Sequence, residues 1–242
     1  MRHTPAAVRG LLSFLLVASL AGCSAVAFQQ TRPAPQPTAT PAPSPAAAER
    51  VERATSEPYT GDLSIFEDPQ RAEKLQIERV MDVLGVREGA RVADIGAGSG
   101  WFTVRASRRA GASGVVYAVE INEEYLKHIE ERARKEGLAN VRTVLGAEDD
   151  TRLPPASVDA VLILKTYHEI AQPVRLLSRL RKSLREGARV GIIDRKGAGS
   201  DHGVERDVVV REAERAGYQL AEEHDFVKGD GMDYFLVFKV RK

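Results

Sequence analysis

The 242-residue chain has one cysteine, one tryptophan and only 6% aromatic residues. A single thiol excludes an internal disulfide and a thiolate-bound metal cluster, so cysteine usage is informative about position 23 alone. An excess of one charge is also lacking. The formal net charge is +1, and −1 without the first 22 residues, which carry Arg2 and Arg9 and no acid; neither value suits a general nucleic-acid binder. Long apolar runs are missing too. The run Leu11 to Ala21 is about half of the ~20 residues that a membrane-spanning helix needs, which favours a cleaved leader over an anchor.

What is present at the start is an address. Arg2 and Arg9 form a positive region, Leu11 to Ala21 an apolar one, and small Ala21 and Gly22 precede Cys23. An ordinary signal peptide with an incidental cysteine fits these residues. "LAGC", however, resembles the lipobox of bacterial lipoproteins, which implies a lipid on Cys23 and membrane attachment through it. Ser24 in place of an acid implies transfer to the outer membrane, if the organism has one. The segment Gln29 to Ala48 follows, with six of the chain's twelve prolines between Pro33 and Pro45. Such composition favours extended polyproline II, and twenty residues at ~3.1 Å each make a tether of about 60 Å. The expected organisation is therefore a signal peptide (1–22), a lipidated cysteine with a Pro/Ala-rich linker (23–57) and one folded domain (58–242). The expected location is the cell envelope, or the cytoplasm if the signal is not used.

From Pro58 onward helical and strand patterns alternate. Asp68-Pro69 has the form of a helix start, and Ile77, Val80, Met81 and Leu84 make an i, i+3, i+4, i+7 stripe stopped by Gly85. Val92 to Ile95, "GVVYAVE", "NVRTVLG", "VDAVLIL" and "RVGIID" are five strand-like runs, the fourth apolar throughout, as a strand covered on both faces should be. Tyr218 to His224 and Tyr234 to Val240 are separated by a link too short for a crossover, so they must pair antiparallel. This predicts an α/β fold: five β-α units in a doubly wound, mostly parallel, seven-stranded sheet with a C-terminal antiparallel hairpin. Ligands of such sheets bind beyond the carboxyl ends of the strands, at the topological switch point.

The first of those ends carries Asp94, Gly96, Ala97, Gly98 and Gly100 in a D-x-G-x-G-x-G pattern. A dinucleotide fingerprint, G-x-G-x-x-G, would require glycine where Trp101 stands, so an NAD-dependent oxidoreductase is the weaker expectation. Val92 to Gly100, together with Glu120 closing strand two, resembles the class I S-adenosylmethionine-dependent methyltransferases, over essentially the whole chain from Pro58. The resemblance implies S-adenosylmethionine as cofactor. Its methionine part would lie against the glycine loop, its ribose hydroxyls on Glu120, and its adenine near Ala147, Glu148 and Asp149 after strand three. A carboxylate accepts from both ribose hydroxyls, and this cofactor has no phosphate that would need Lys or Arg.

The stretch "LKTYHEIAQP" after strand four would lie beside the reactive methyl group. Imidazole is the side chain whose ordinary pKa, ~6.5, lies nearest neutrality. His168 is thus the expected base, with Glu169 to orient it and Tyr167 to line the acceptor pocket. His128, His202 and His224 look structural, and no metal is expected. The N-P-P-[YF] motif of nucleobase and glutamine methyltransferases is absent, and with no cysteine after Cys23 a thiolate-based arsenite mechanism is disfavoured. No substrate domain is inserted; only Pro58 to Gly85 and the Gly197 to Gly203 loop are placed to form a lid. A small or membrane-associated acceptor is expected. S-adenosylmethionine is made in the cytoplasm, whereas a lipoprotein is exported. An active enzyme with its own cofactor supply, a non-catalytic envelope ligand-binding module on this fold, and a partly retained protein all remain open.

Overall fold

The computed structural model describes residues 53–242; the leader, Cys23 and the Pro/Ala-rich run fall outside the described residues. Seven strands form one sheet: β1 (Arg91–Ile95), β2 (Val115–Glu120), β3 (Val141–Leu145), β4 (Val158–Leu164), β5 (Leu184–Asp194), β6 (Tyr218–His224) and β7 (Tyr234–Val240). Their order is β3-β2-β1-β4-β5-β7-β6. The first five run parallel, while β7 pairs antiparallel with both β5 and β6. The sheet, with its terminal hairpin, is the one expected from the sequence.

The helices are α1 (Arg71–Lys74), α2 (Ile77–Leu84), α3 (Trp101–Ala110), α4 (Glu123–Lys135), α5 (Pro173–Leu180) and α6 (Arg206–Arg215). Apolar residues alternate along the strands and bury both sheet faces. On one face Val92, Leu162 and Phe235 meet α2 and α3. On the other, Ala93, Ile163 and Leu236 meet α5 and α6.

Two local departures have physical causes. The stretch beginning at Asp68-Pro69 is not one helix. Gln76 takes a left-handed conformation, φ 52°, and breaks it into α1 and α2. Between β3 and β4 there is no helix; residues 146–157 cross as a loop closed by a small Ala147–Asp150 bridge. The pattern there, short and carrying Asp149, Asp150, Pro154 and Pro155, buries too little for a helical unit.

The domain also begins earlier than Pro58. Arg53 forms an ion pair with Glu212 at 2.9 Å, with both side chains largely buried. Ser56 is buried as well: its N–H donates to the His168 carbonyl and its hydroxyl to the Gly199 carbonyl. Residues that linker composition groups with the tether are thus fastened across the ends of β4 and β5.

Candidate active site

The strand order reverses between β1 and β4, and the loops leaving these two strands meet there. Gly96, Gly98 and Gly100 all have positive φ, 71°, 53° and 75°, a conformation that only glycine adopts cheaply. Their tasks differ. A Cβ at Gly96 would collide with the side chain of Thr166 on the β4 loop, so this glycine lets the two loops close on each other. A Cβ at Gly98 would project toward the Phe66 ring, 3.7 Å away. A Cβ at Gly100 would stand only 3.1 Å from Ile129, so this glycine lets α3 pack closely on α4. Asp94 is buried beneath the loop and accepts the Thr103 hydroxyl at 2.6 Å, tying the end of β1 to the first turn of α3. Burial pushes the Asp94 carboxyl up to about 6.

Glu120 ends β2 and closes the same loop from the other side. One carboxylate oxygen accepts the Gly98 N–H at 3.0 Å; the other accepts those of Ile121 at 2.7 Å and Asn122 at 3.3 Å. A carboxylate has about four lone-pair sites, so it retains capacity for further donors. After β3, Ala147 and Glu148 line the cleft, whereas Asp149 is turned onto α5 and paired with Arg175 and Arg179, each at 2.9 Å. Of the three residues expected there, two face the cleft.

After β4, Lys165 is left-handed (φ 53°) and Tyr167–Glu169 form a 3-10 turn. This turn separates neighbours that look alike in sequence. Tyr167 points into the core: it is fully buried and donates its hydroxyl to Glu212 at 2.9 Å, so it does not line the acceptor pocket. His168 faces the cleft. Asp194, at the end of β5 and fully buried, accepts the His168 N–H at 3.1 Å and contacts Nδ1 at 2.9 Å. The carboxylate on Nδ1 sets the tautomer with the proton on that nitrogen and leaves the Nε2 lone pair free. Glu169 Oε1 lies 3.8 Å from Nε2, and burial pushes its carboxyl up to about 7. His202, from the Gly197 to Gly203 loop, stands edge-on to His168 with ring centroids 5.7 Å apart. Its N–H donates to the Ser56 hydroxyl. Asp194 and His202 carry no local sequence signal of this meeting beyond the position of Asp194 at a strand end.

These parts line one cleft of about 910 Å³, at the upper end of the ~300–1,000 Å³ usual for ligand sites. Its roof is the N-terminal segment. Thr55 to Thr60 and Phe66 line it, and the Tyr125 hydroxyl donates to the Tyr59 and Gly61 carbonyls at 3.2 and 3.0 Å. The cleft has a loop-and-carboxylate half under β1–β3 and an imidazole–carboxylate half under β4–β5. The first suits a cationic or hydroxyl-bearing ligand, the second a proton transfer.

Comparison with known proteins fits this geometry. Residues 92–187 match a family described as a methyltransferase domain. A ubiquinone/menaquinone biosynthesis C-methyltransferase (UbiE) of Idiomarina loihiensis is 31% identical over 115 residues, 47% of this chain and 46% of that protein. The chain thus spans about half the length of the curated relatives it matches. A SAM dependent methyltransferase structure from Aquifex aeolicus superposes with a TM-score of 0.67 at 27% identity, covering 75% of this chain and all of that one. The [4+2]-cyclase SpnF superposes with a TM-score of 0.59 at 14% identity, over 80% of this chain and 88% of its own, a likeness of fold alone.

Proposed function

We propose that the chain, whose residues 92–187 match a methyltransferase domain, takes S-adenosylmethionine and methylates a small acceptor at an acidic carbon or a hydroxyl. The observation that carries this is Glu120, one carboxylate that both fastens the glycine loop at Gly98 and borders the cleft. The cleft suits this cofactor. Glu120 and Glu148 bring carboxylates to its lining, which suit a cationic ligand with ribose hydroxyls, and a Cβ at Gly98 would take up the space before Phe66. When bound, S-adenosylmethionine supplies a methyl group on a cationic sulfur for in-line displacement.

The chain's own residues do the rest. Glu120 would accept the ribose hydroxyls, the backbone of Gly96, Ala97 and Gly98 would cradle the methionine part, and Ala147 and Glu148 would border the adenine. Asp94 and Gly100 shape the loop from behind. His168, held by Asp194 with Nε2 toward the cleft, takes the acceptor's proton, and the Tyr59 to Phe66 roof excludes water while transfer occurs. The match to C-methyltransferases supports a carbon acceptor, and the cleft's volume a small one.

Calorimetric titration tests this reading. S-adenosylmethionine and its demethylated product should bind to the whole protein and NAD should not. Glu120→Ala should weaken binding by roughly 10- to 100-fold, the cost of losing hydrogen bonds to a charged group. If neither adenosyl ligand binds, the cleft belongs to a non-catalytic binding module.

The leader sequence supports export and attachment by a lipid on Cys23. Labelled palmitate should enter the chain in growing cells and fail to enter Cys23→Ala. Labelling of neither would place the protein outside the lipoprotein route.

A further inference from the structure

The acceptor half of the cleft holds more ligating chemistry than proton abstraction requires. One ligand atom each from His168, Glu169 and His202 lie within 4.8 Å of one another. Two imidazoles and a carboxylate are a donor set suited to first-row divalent metals, which sit ~2.0–2.2 Å from such atoms. Ligands around one ion therefore stand ~3–3.5 Å apart by that geometry. His168 Nε2 and Glu169 Oε1, at 3.8 Å, are nearly there. His202, whose ligand atom stands within 4.8 Å of the other two, sits in a loop containing Gly197, Gly199 and Gly203, which lets it close the remaining gap.

The second observation is independent of this clustering. Metal-bound histidines characteristically give their other ring nitrogen to a carboxylate, which fixes the tautomer and raises ligand basicity. Asp194 does this for His168: it is wholly buried, contacts Nδ1 at 2.9 Å and is locked in turn by the N–H groups of His168 and Arg195. His202 is also positioned for the task. Its backbone is left-handed, φ 59°, unusual for a residue with a side chain, and its N–H is held by the buried Ser56 hydroxyl. The nearby cation is directed elsewhere, since Arg195 donates to the Asp201 and His202 carbonyls.

We infer that His168, Glu169 and His202 form a three-ligand site for a divalent metal ion of the zinc or cobalt class at the acceptor end of the cleft, with Asp194 as the carboxylate behind His168. Three protein ligands leave coordination positions open toward the cleft. Metal and proton are alternative occupants of the same Nε2 lone pair. A loaded site therefore withdraws His168 as a base and offers a coordination position to an oxygen of the acceptor.

The test uses the untagged, EDTA-stripped whole protein without cofactor, so it does not depend on the methyltransferase reading. Titration with Co²⁺ alone should give visible absorption bands that saturate at one equivalent and are displaced by Zn²⁺. His202→Ala and Glu169→Gln should each weaken Co²⁺ binding by roughly 10-fold or more, as loss of metal-site residues does. His224→Ala, on the far hairpin, should leave it unchanged. His202 is exposed, so metal-free His202→Ala should keep the parent's melting temperature, which separates a lost ligand from a lost fold. Absence of stoichiometric binding, or binding that survives both His202→Ala and Glu169→Gln, would overturn the site.

Discussion

A methyl group at Gly96 has nowhere to go. Gly96→Ala meets both a positive φ and the Thr166 side chain, so it should lose about 1–3 kcal/mol in urea unfolding and much of its cofactor binding. Thr166→Ala in the same chain should recover only the part due to collision. Asp94 gives a pH-dependent test. Its folded pKa of about 6 exceeds its ordinary 3.8, chiefly through burial, with Glu120 adding to the rise and Thr103 and Arg71 opposing it. The fold thus penalises the ionised form; the penalty is absent below the ordinary value and complete above 6. Asp94→Asn should therefore gain on the parent by up to about 3 kcal/mol between acid and neutral urea melts. The glycines and Glu120 could be found in the sequence because strand-end motifs are local. Tyr167, Asp149 and His202 were misplaced by sequence because a 3-10 turn, two arginines on α5 and a distant loop decide where those side chains go.

Among the elements, the segment from Arg53 to Phe66 combines stability with closure. Arg53 reaches Glu212 and the Tyr167 carbonyl. Arg53→Ala would leave Glu212 buried with only the Tyr167 hydroxyl, and should cost about 3–5 kcal/mol in chemical denaturation, as breaking a buried pair does. A leucine at 212 in the same chain should restore part of that, because no unpaired charge then remains. This anchoring was hidden in the sequence, where Arg53 follows a Pro/Ala-rich stretch and belongs to no periodic pattern. The strands were plain by contrast, because apolar runs covered on both faces can hardly be anything else. The break at Gln76 and the helix-free crossing from β3 to β4 were not, since each depends on what neighbouring layers leave uncovered.

At the scale of the whole molecule, both cores share one sheet, so the domain should unfold in a single transition. At a hundred times its dissociation constant, S-adenosylmethionine should stabilise it by ~2.7 kcal/mol, raising the calorimetric melting temperature by about 5–10 °C. The parallel strands and the terminal antiparallel pair followed from the strand pattern and link length, whereas the insertion of β7 between β5 and β6 did not. The two-part cleft did not, because it exists only where the β1 and β4 loops cross the N-terminal roof. That roof also gives the molecule a mechanical polarity. Any pull arriving along the chain from upstream enters at Arg53 and is carried sideways into α6 through the Arg53–Glu212 clasp, before it reaches Tyr59 and Phe66. The clasp is a strain relief: load is grounded in the core before it reaches the cleft.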